Sequence, residues 1–208
     1  MQDYITVKSS AEAELVEKRS RFIAQVFPIK SEAEALEHIA NAKKKHWDAR
    51  HNVYAYILRE GGICRYTDDG EPSGTAGVPT LNVIKKRDIT DCLVIVTRYF
   101  GGVLLGTGGL VRAYSGAAAL GLDAAGIVKA TPCTLFTLCC PYPDYEQVSR
   151  LCENQNVTVD SVEFLDDVTL NLLIKSDAYE TFVSTLTDKF CGRLTCTIVG
   201  EKYGFFDE

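Results

Sequence analysis

The chain has 208 residues, of which 46% are hydrophobic and 24% are charged, and its net charge is −6 at pH 7. This balance is typical of a globular protein with one large or two small domains. The negative charge disfavours a protein that coats nucleic acid non-specifically, because such binding depends on neutralising phosphates. No run of 18 apolar residues predicts a membrane helix, and the first twenty residues lack the apolar core of a signal peptide.

The first half of the chain alternates extended segments with helices. Strands are predicted near residues 3–8, 12–17 and 20–28, and SEAEALEHIANAKKKHW predicts a helix with a capping box at Ser31 and Glu34. NVYAYIL and ICRYTDD are typical of a β-hairpin, and a further helix is expected within GTAGVPTLNVIKKRDI. CLVIVTRYF predicts a strand buried on both faces, because its β-branched run is continuous. We therefore expect an α/β arrangement with a mixed or antiparallel sheet.

An acidic turn, YTDDGEPSGTAGVP, follows the predicted hairpin and precedes the predicted helix. Asp68, Asp69 and Glu71 place three carboxylates within four residues, but the spacing is not that of an EF-hand and no further ligand is evident. We predict no metal here. His51 offers a second interpretation of the turn, because histidine and carboxylates that converge in one pocket are the acid–base groups of a hydrolase.

A glycine-rich segment follows the predicted buried strand, and RYFGGVLLGTGGLVR holds five glycines between two arginines. It is not a P-loop, because no lysine follows Gly106, and not a dinucleotide fingerprint, because Val111 stands at the position of the last glycine. A strand, a glycine loop and a helix in this order place free backbone N–H groups at a helix N-terminus, which favours anions. Arg98 and Arg112 would complete a phosphate site. In the alternative, the glycines permit tight turns and both arginines pair with carboxylates.

The second half of the chain has a simpler pattern. TLFTLCC, VTVDSVEF, VTLNLLI and LTCTIVG are predicted strands. PDYEQVSRLCEN and DAYETFVSTLTDKF predict helices, with capping boxes formed by Asp144 with Gln147 and by Asp177 with Glu180. The resulting order, βαββαβ, is that of a ferredoxin-like domain.

The distribution of glycine indicates a division into two domains. Thirteen of the sixteen glycines lie between Gly61 and Gly126. We predict a linker at residues 126–133, with one domain at residues 1–130 and another at residues 134–208.

The eight cysteines lie mostly within apolar runs and form no CxxC pair. Neither a zinc knuckle nor a thioredoxin-type motif is expected, and buried thiols in a reducing compartment explain the pattern. We predict a cytoplasmic protein that requires no cofactor and contacts no membrane.

Three segments carry a resemblance to a known family. ARHNVYAY, DDGEPSGTAGVP and VTRYFGGVLLGTGGLVRAY, followed by the βαββαβ tail, resemble the YigZ/IMPACT family in its two-domain bacterial form. The resemblance covers nearly the whole chain. It implies an α+β protein whose N-terminal domain has the ribosomal-protein-S5-domain-2-like fold, similar to domain IV of elongation factor G. The ferredoxin-like C-terminal domain would be similar to domain V of that factor.

The resemblance also implies a role in the regulation of translation. Eukaryotic relatives are associated with control of initiation through proteins that govern a kinase of an initiation factor, and they make that contact through an additional N-terminal RWD domain. This chain begins directly with the family domain, so we do not expect that mechanism here. The similarity to translation-factor domains implies contact with RNA or the ribosome.

The family motifs identify two groups of candidate site residues. Leu104 departs from the pattern, because some relatives carry a lysine there and one possible phosphate contact is missing. Tyr99 or Tyr114 would stack on a base. The residues expected to bind nucleic acid or phosphate are Arg98, Tyr99, Gly101, Gly102, Gly106, Gly108, Gly109, Arg112 and Tyr114. The residues of the family-motif loop are His51, Asn52, Asp69, Gly70, Glu71, Pro72, Gly74, Thr75 and Gly77.

Three functions are consistent with these residues. The first is a module that binds RNA or the ribosome through the glycine-rich segment. The second is a protein-binding adaptor in translational stress control, and the third is a hydrolase that uses His51 and the acidic turn. We rank the binding module first and the hydrolase third.

Overall fold

The structure, a computed structural model, describes residues 1–207 and divides the chain into two units. The first unit is formed by Tyr4–Lys129, and the second by Met1–Asp3 and Ala130–Phe206. No helix among the described residues is long and apolar enough to cross a membrane. The strands are β1 (Tyr4–Val7), β2 (Ala11–Glu17), β3 (Ser20–Pro28), β4 (His51–Leu58), β5 (Ile63–Thr67), β6 (Cys92–Tyr99), β7 (Ile127–Cys140), β8 (Thr158–Phe164), β9 (Val168–Lys175) and β10 (Cys196–Asp207). The helices are α1 (Glu32–Lys45), α2 (Gly77–Lys86), α3 (Gly106–Ala125), α4 (Tyr142–Asn154) and α5 (Tyr179–Phe190).

The first unit is built on a five-stranded sheet in the order β2-β3-β6-β4-β5, and all of its neighbouring strands are antiparallel. The central strand, β6, is buried on both faces as predicted. Val94 and Val96 contribute to a cluster with residues of α2 and α3, whereas Leu93 and Ile95 contribute to a cluster with residues of α1. The continuous apolar run of β6 therefore reflects helices on both sides of the sheet.

Helix α3 packs closely on this sheet because several residues on its buried face are alanine. Ala113, Ala117 and Ala118 are buried in the same cluster as Phe22 and Val26 of β3. The helix follows β6 through the glycine-rich segment, as predicted from the sequence. It therefore holds the end of that segment at a fixed place beside the sheet.

The second unit contains β7, α4, β8, β9, α5 and β10 in that chain order. Strand β9 pairs antiparallel with both β7 and β8, and β10 also pairs with β7. Alternate residues of β9, such as Leu170 and Leu172, are buried against Phe182 and Leu186 of α5 and Val148 of α4. The alternating hydrophobic pattern of β9 in the sequence thus reflects side chains that point in turn to the core face and to the outer face of the sheet.

The predicted linker and two predicted helix caps differ from the structure. The division between the two units, at Lys129 and Ala130, falls within residues 126–133, but this range is not irregular, because β7 begins at Ile127 and runs without interruption to Cys140. Helix α4 begins at Tyr142 with Pro141 at the N-cap, and α5 begins at Tyr179 after a short 3-10 turn. Neither helix has the predicted side-chain cap.

The first helix does have a side-chain cap. The hydroxyl of Ser31 accepts a hydrogen bond from the Glu34 backbone N–H at 3.2 Å. The Glu34 carboxylate reaches back one residue further than a capping box requires, to the backbone N–H of Lys30 at 2.7 Å. The helix start is therefore predicted correctly, with a variation in the reciprocal hydrogen bond.

Candidate functional site

The segment between β6 and α3, residues 100–105, is called the glycine loop below. Its conformation depends on a close approach to the turn between β2 and β3. A Cβ atom on Gly101 would overlap the carbonyl group of Arg19, and the Gly101 N–H donates to the Ser20 hydroxyl at 3.1 Å. Gly102 has a φ of +85°, a value that glycine adopts without strain. Part of the glycine content is therefore structural.

The turn that contacts the glycine loop consists of two charged residues. Glu17 pairs with Ser20 across the β2–β3 hairpin, which leaves Lys18 and Arg19 as a two-residue connection. Both have positive φ, 44° and 68°, in positions where Asn-Gly is the common choice. Both side chains are exposed. The hairpin thus presents two cations beside the glycine loop.

The end of β6 carries a buried ion pair. Arg98 Nη1 donates to Glu71 Oε1 at 2.6 Å, and the two side chains are only 7% and 3% exposed. The Tyr114 hydroxyl donates to the same oxygen at 2.8 Å. Burial and the neighbouring Glu71 carboxylate raise the pKa of Tyr114 well above its ordinary value, so the hydroxyl remains a donor. Arg98 Nε has no acceptor within the described part of the chain.

This pairing corrects two expectations. The charge of Arg98 is neutralised by the Glu71 carboxylate. This is the alternative in which the arginine pairs with a carboxylate and not with a phosphate. Tyr114 does not lie at the surface, because its ring is fully buried and packs edge-on against Phe22. The expectation that Tyr114 stacks on a base is therefore wrong.

His51 lies next to the ion pair because β4 pairs with β6 in a register that places His51 opposite Arg98. Its Nδ1 is 2.9 Å from the carbonyl oxygen of Asp69. Since a carbonyl only accepts, Nδ1 carries the hydrogen in this arrangement. The other ring nitrogen, Nε2, is 3.9 Å from Glu71 Oε1. His51, Asp69 and Glu71 therefore do converge.

The acidic turn is held mainly by its own carboxylates. Asp69 Oδ2 accepts from the Asn52 backbone N–H at 2.6 Å, and Asp69 Oδ1 lies 3.2 Å from Lys43 Nζ. The Asp68 carboxylate accepts three backbone N–H groups, from Gly74, Ala76 and Gly77, and so caps α2. Burial alone would raise the pKa of Asp68, but these three donors outweigh it and the pKa lies below its ordinary value.

The remaining motif residues shape this turn. The Asn52 side chain accepts from Thr97 Oγ1 at 2.8 Å, deep in the sheet. The Pro72 carbonyl accepts from the Thr75 N–H and from its hydroxyl. The Gly70 backbone lies against the His51 ring, where a Cβ atom would contact Nδ1 at 3.5 Å. The family-motif loop is thus a rigid support for His51 and Glu71.

Two hollows flank the glycine loop, and each has an exposed arginine in its wall. The His51 hollow has a volume of about 210 Å³ and is lined by Arg50, His51, Arg98, Phe100 and Leu104. The Arg112 hollow has a volume of about 170 Å³ and is lined by Leu15, Glu17, Lys18, Leu105, Gly109, Arg112 and Ala113. Gly106, Gly108 and Gly109 lie in the first turn of α3 beside the second hollow, and the N-cap residue supplies no side-chain acceptor there.

Four exposed cations surround the glycine loop: Lys18, Arg19, Arg50 and Arg112. We call them the basic rim. Within residues 1–207, none of the four forms an ion pair with a carboxylate. Cations that are exposed and unpaired remain able to contact phosphates.

Two parts of the chain match known domain families. Residues 18–122 match the family described as "Impact N-terminal domain", and residues 138–193 match "Domain of unknown function (DUF1949)". The chain belongs to the IMPACT family. It is similar to "IMPACT family member YvyE" of Bacillus subtilis, with 36% identity over 93% of this chain and 89% of that protein.

Other IMPACT family members and one solved structure are similar over most of the chain. "IMPACT family member YigZ" of Escherichia coli is 31% identical over 88% of this chain and 92% of that protein. A structure titled "Crystal structure of an hypothetical protein" has a TM-score of 0.60 and 28% identity, and it covers 96% of this chain and 98% of its own.

Sequence reasoning missed part of the candidate site of this IMPACT family protein. Lys18, Arg19 and Arg50 were not predicted, although two charged residues in place of Asn-Gly in a tight hairpin are an unusual signal. Tyr99, which was predicted, is half-buried and its hydroxyl donates to Asp48 at 2.9 Å. Partial burial and the Asp48 carboxylate raise the pKa of Tyr99.

Proposed function

We propose that this protein binds RNA, free or in the ribosome, and acts in the regulation of translation. The observation that carries the proposal is the basic rim. Four exposed cations, which have no carboxylate partner among residues 1–207, surround one loop of a chain whose net charge is −6. A localised cluster of this kind supports binding at one place rather than coating of nucleic acid along its length.

The rim suits phosphates for a simple electrostatic reason. Each cation that neutralises a phosphate releases condensed counterions, so that affinity falls with salt by a log–log slope of about 0.7 per phosphate on single strands. A rim of four cations would give a slope of about 3 at most. This modest slope fits a site that holds a short stretch of backbone.

We also propose specific folds for the two units. The antiparallel sheet of the first unit, with helices on both faces, supports the ribosomal-protein-S5-domain-2-like fold. In the second unit, the order βαββαβ with β9 between β7 and β8 supports the ferredoxin-like fold. Both are folds that the family resemblance associates with domains of elongation factor G.

The hydrolase alternative is weaker than the binding proposal, although its three residues converge. The Asp69 carboxylate is held by Asn52 and Lys43, and the Glu71 carboxylate is buried and held by Arg98. Acid–base catalysis needs groups that reach the substrate, whereas these two carboxylates already bind groups of the protein. The adaptor alternative depends on the family resemblance alone.

The proposal is tested by measuring how RNA affinity depends on salt. A fluorescently labelled decauridylate is titrated with the full-length protein at several salt concentrations, and binding is followed by anisotropy. Arg50→Ala combined with Arg112→Ala should weaken binding and reduce the slope by about 1.4, because two phosphate contacts are lost.

The matched control is Lys85→Ala combined with Lys86→Ala. These exposed lysines lie in the last turn of α2, before β6 begins, whereas the basic rim lies where β6 ends. The control removes the same charge and should leave the slope nearly unchanged. Equal slopes for the two double variants would contradict the proposal. Crosslinking and sequencing of RNA bound in cells provides a second comparison of the same two double variants.

A further inference from the structure

We infer that the His51 hollow receives one unpaired base of the bound RNA, with Phe100 as the stacking surface and Arg50 on the adjacent phosphate. This inference rests on the proposed function and adds to it the part of the ligand that enters the site. It differs from phosphate binding at the rim because it assigns a role to the apolar residues of the glycine loop.

The walls of the hollow combine an aromatic ring, an aliphatic side chain and cations. Phe100 is 52% exposed and Leu104 is 83% exposed, although both are large apolar residues. Single-stranded RNA is recognised through splayed bases that stack on aromatic rings, while cations hold the backbone. An exposed phenylalanine beside Arg50 supplies both contacts in one place.

A buried cation contacts the stacking surface. The guanidinium carbon of Arg98 lies 5.6 Å from the centre of the Phe100 ring, and Arg98 is itself fixed by Glu71. A buried ion pair is weak support for stability alone, so its position behind an open hollow favours a role in preorganising that hollow. Phe100 is therefore positioned by groups that do not have to move when a base binds.

His51 is the side chain of the hollow that can meet the edge of a base. Arg98 also lines the hollow, but its Nε is buried and has no acceptor in the described part of the chain. Because His51 Nδ1 donates to the Asp69 carbonyl, Nε2 is the ring nitrogen left to meet a base, and it lies 3.9 Å from Glu71 Oε1. A base presents both acceptors and donors along its edge, whereas a phosphate oxygen only accepts.

The size of the hollow limits what enters it. Its volume of about 210 Å³ is below the roughly 300–1,000 Å³ typical of pockets for drug-sized ligands. One base fits this limit better than a larger cofactor. A paired base is stacked within its helix, so the hollow should select single strands.

The test compares two probes on the full-length protein. One is decauridylate, and the other is an oligonucleotide of the same length that keeps its phosphates but lacks bases. We expect the wild-type protein to bind decauridylate about tenfold more tightly than the abasic probe, because only the first probe has a base to stack. Phe100→Leu should remove most of this difference while leaving the salt dependence unchanged.

Phe164→Leu is the matched control, because Phe164 is 55% exposed and lies in the second unit. It should keep the tenfold difference, and thermal unfolding checks that both variants are folded. Equal affinity of the wild-type protein for the two probes, or a difference that persists in Phe100→Leu, would overturn the inference and leave the proposed function standing. Failure of both probes to bind at any salt concentration would overturn both proposals.

Discussion

At Glu71, a single carboxylate oxygen accepts hydrogen bonds from Arg98 and Tyr114, and His51 Nε2 lies 3.9 Å away. The sequence left open whether Arg98 binds an anion or pairs with a carboxylate. It did not identify Glu71 as the partner, because the two residues are 27 positions apart and meet only through the fold. The pairing follows from the acidic turn packing beside the end of β6, which local patterns do not encode.

Removing the Glu71 carboxylate should destabilise the first unit strongly. In Glu71→Ala the Arg98 charge stays buried without a partner, and the free energy of unfolding should fall by about 3–5 kcal/mol. Urea denaturation followed by circular dichroism measures this loss. Glu14→Ala is the control, because the Glu14–Arg21 pair is exposed and should contribute little. A loss in Glu71→Ala no larger than in Glu14→Ala would show that the buried pair does not stabilise the unit.

At the scale of elements, long and strongly patterned segments were predicted well, whereas the caps of α4 and α5 were not. The continuous β-branched run of β6 predicts a strand that is buried on both faces, and the hydrophobic alternation of β9 predicts a strand that is buried on one face. Asp144 has the spacing of a capping box, but α4 begins before it at Tyr142, with Pro143 in the first turn, where its fixed φ suits a helix start. Strand β7 continues through Pro132, which lies within the range predicted as a linker.

The acidic turn acts on α2 through Asp68, and this contribution should depend on pH. The folded-state pKa of Asp68 is lowered, so its stabilising effect is complete above the ordinary carboxyl pKa, near 3.9, and is lost as the pH falls through the lower folded value. Asp68→Asn should cost about 1–2 kcal/mol at pH 7, because an amide cannot accept on two oxygens. The difference in the free energy of unfolding between the wild type and Asp68→Asn should be smaller near pH 3 than at pH 7.

Denaturation of both proteins at pH 7 and pH 3 gives this comparison. Asp88→Asn makes the same change of charge on an exposed residue of the first unit and should have little effect at either pH. A difference for Asp68→Asn that stays constant between the two pH values would rule out the carboxylate as its cause.

At the scale of the whole molecule, the net charge of −6 is a poor guide to the local surface. Several carboxylates, among them Asp68, Asp69 and Glu71, are engaged by donors within the protein. The cations of the basic rim have no carboxylate partner in the part of the chain that the structure describes. Composition counts charges without their positions, so the rim could not be predicted from it.

Each unit has its own core, and a cavity in one core should affect that unit first. Phe182 is fully buried in the second unit, and Phe182→Ala should destabilise it by about 3–5 kcal/mol. Hydrogen exchange followed by mass spectrometry should show lost protection in β9 and α5, with β6 still protected. Phe205→Ala, at an exposed position, should change little. Equal loss of protection in β6 would show that both units unfold together.

The hairpin turn formed by Lys18 and Arg19 has a consequence for engineering. Two charged residues hold left-handed backbone angles there, where Asn-Gly would fit without strain. Thermostability screens would therefore favour replacing them, and the improved variants would lose two cations of the basic rim. If the proposed RNA binding holds, selection for heat resistance and selection for RNA affinity should favour different residues in this turn.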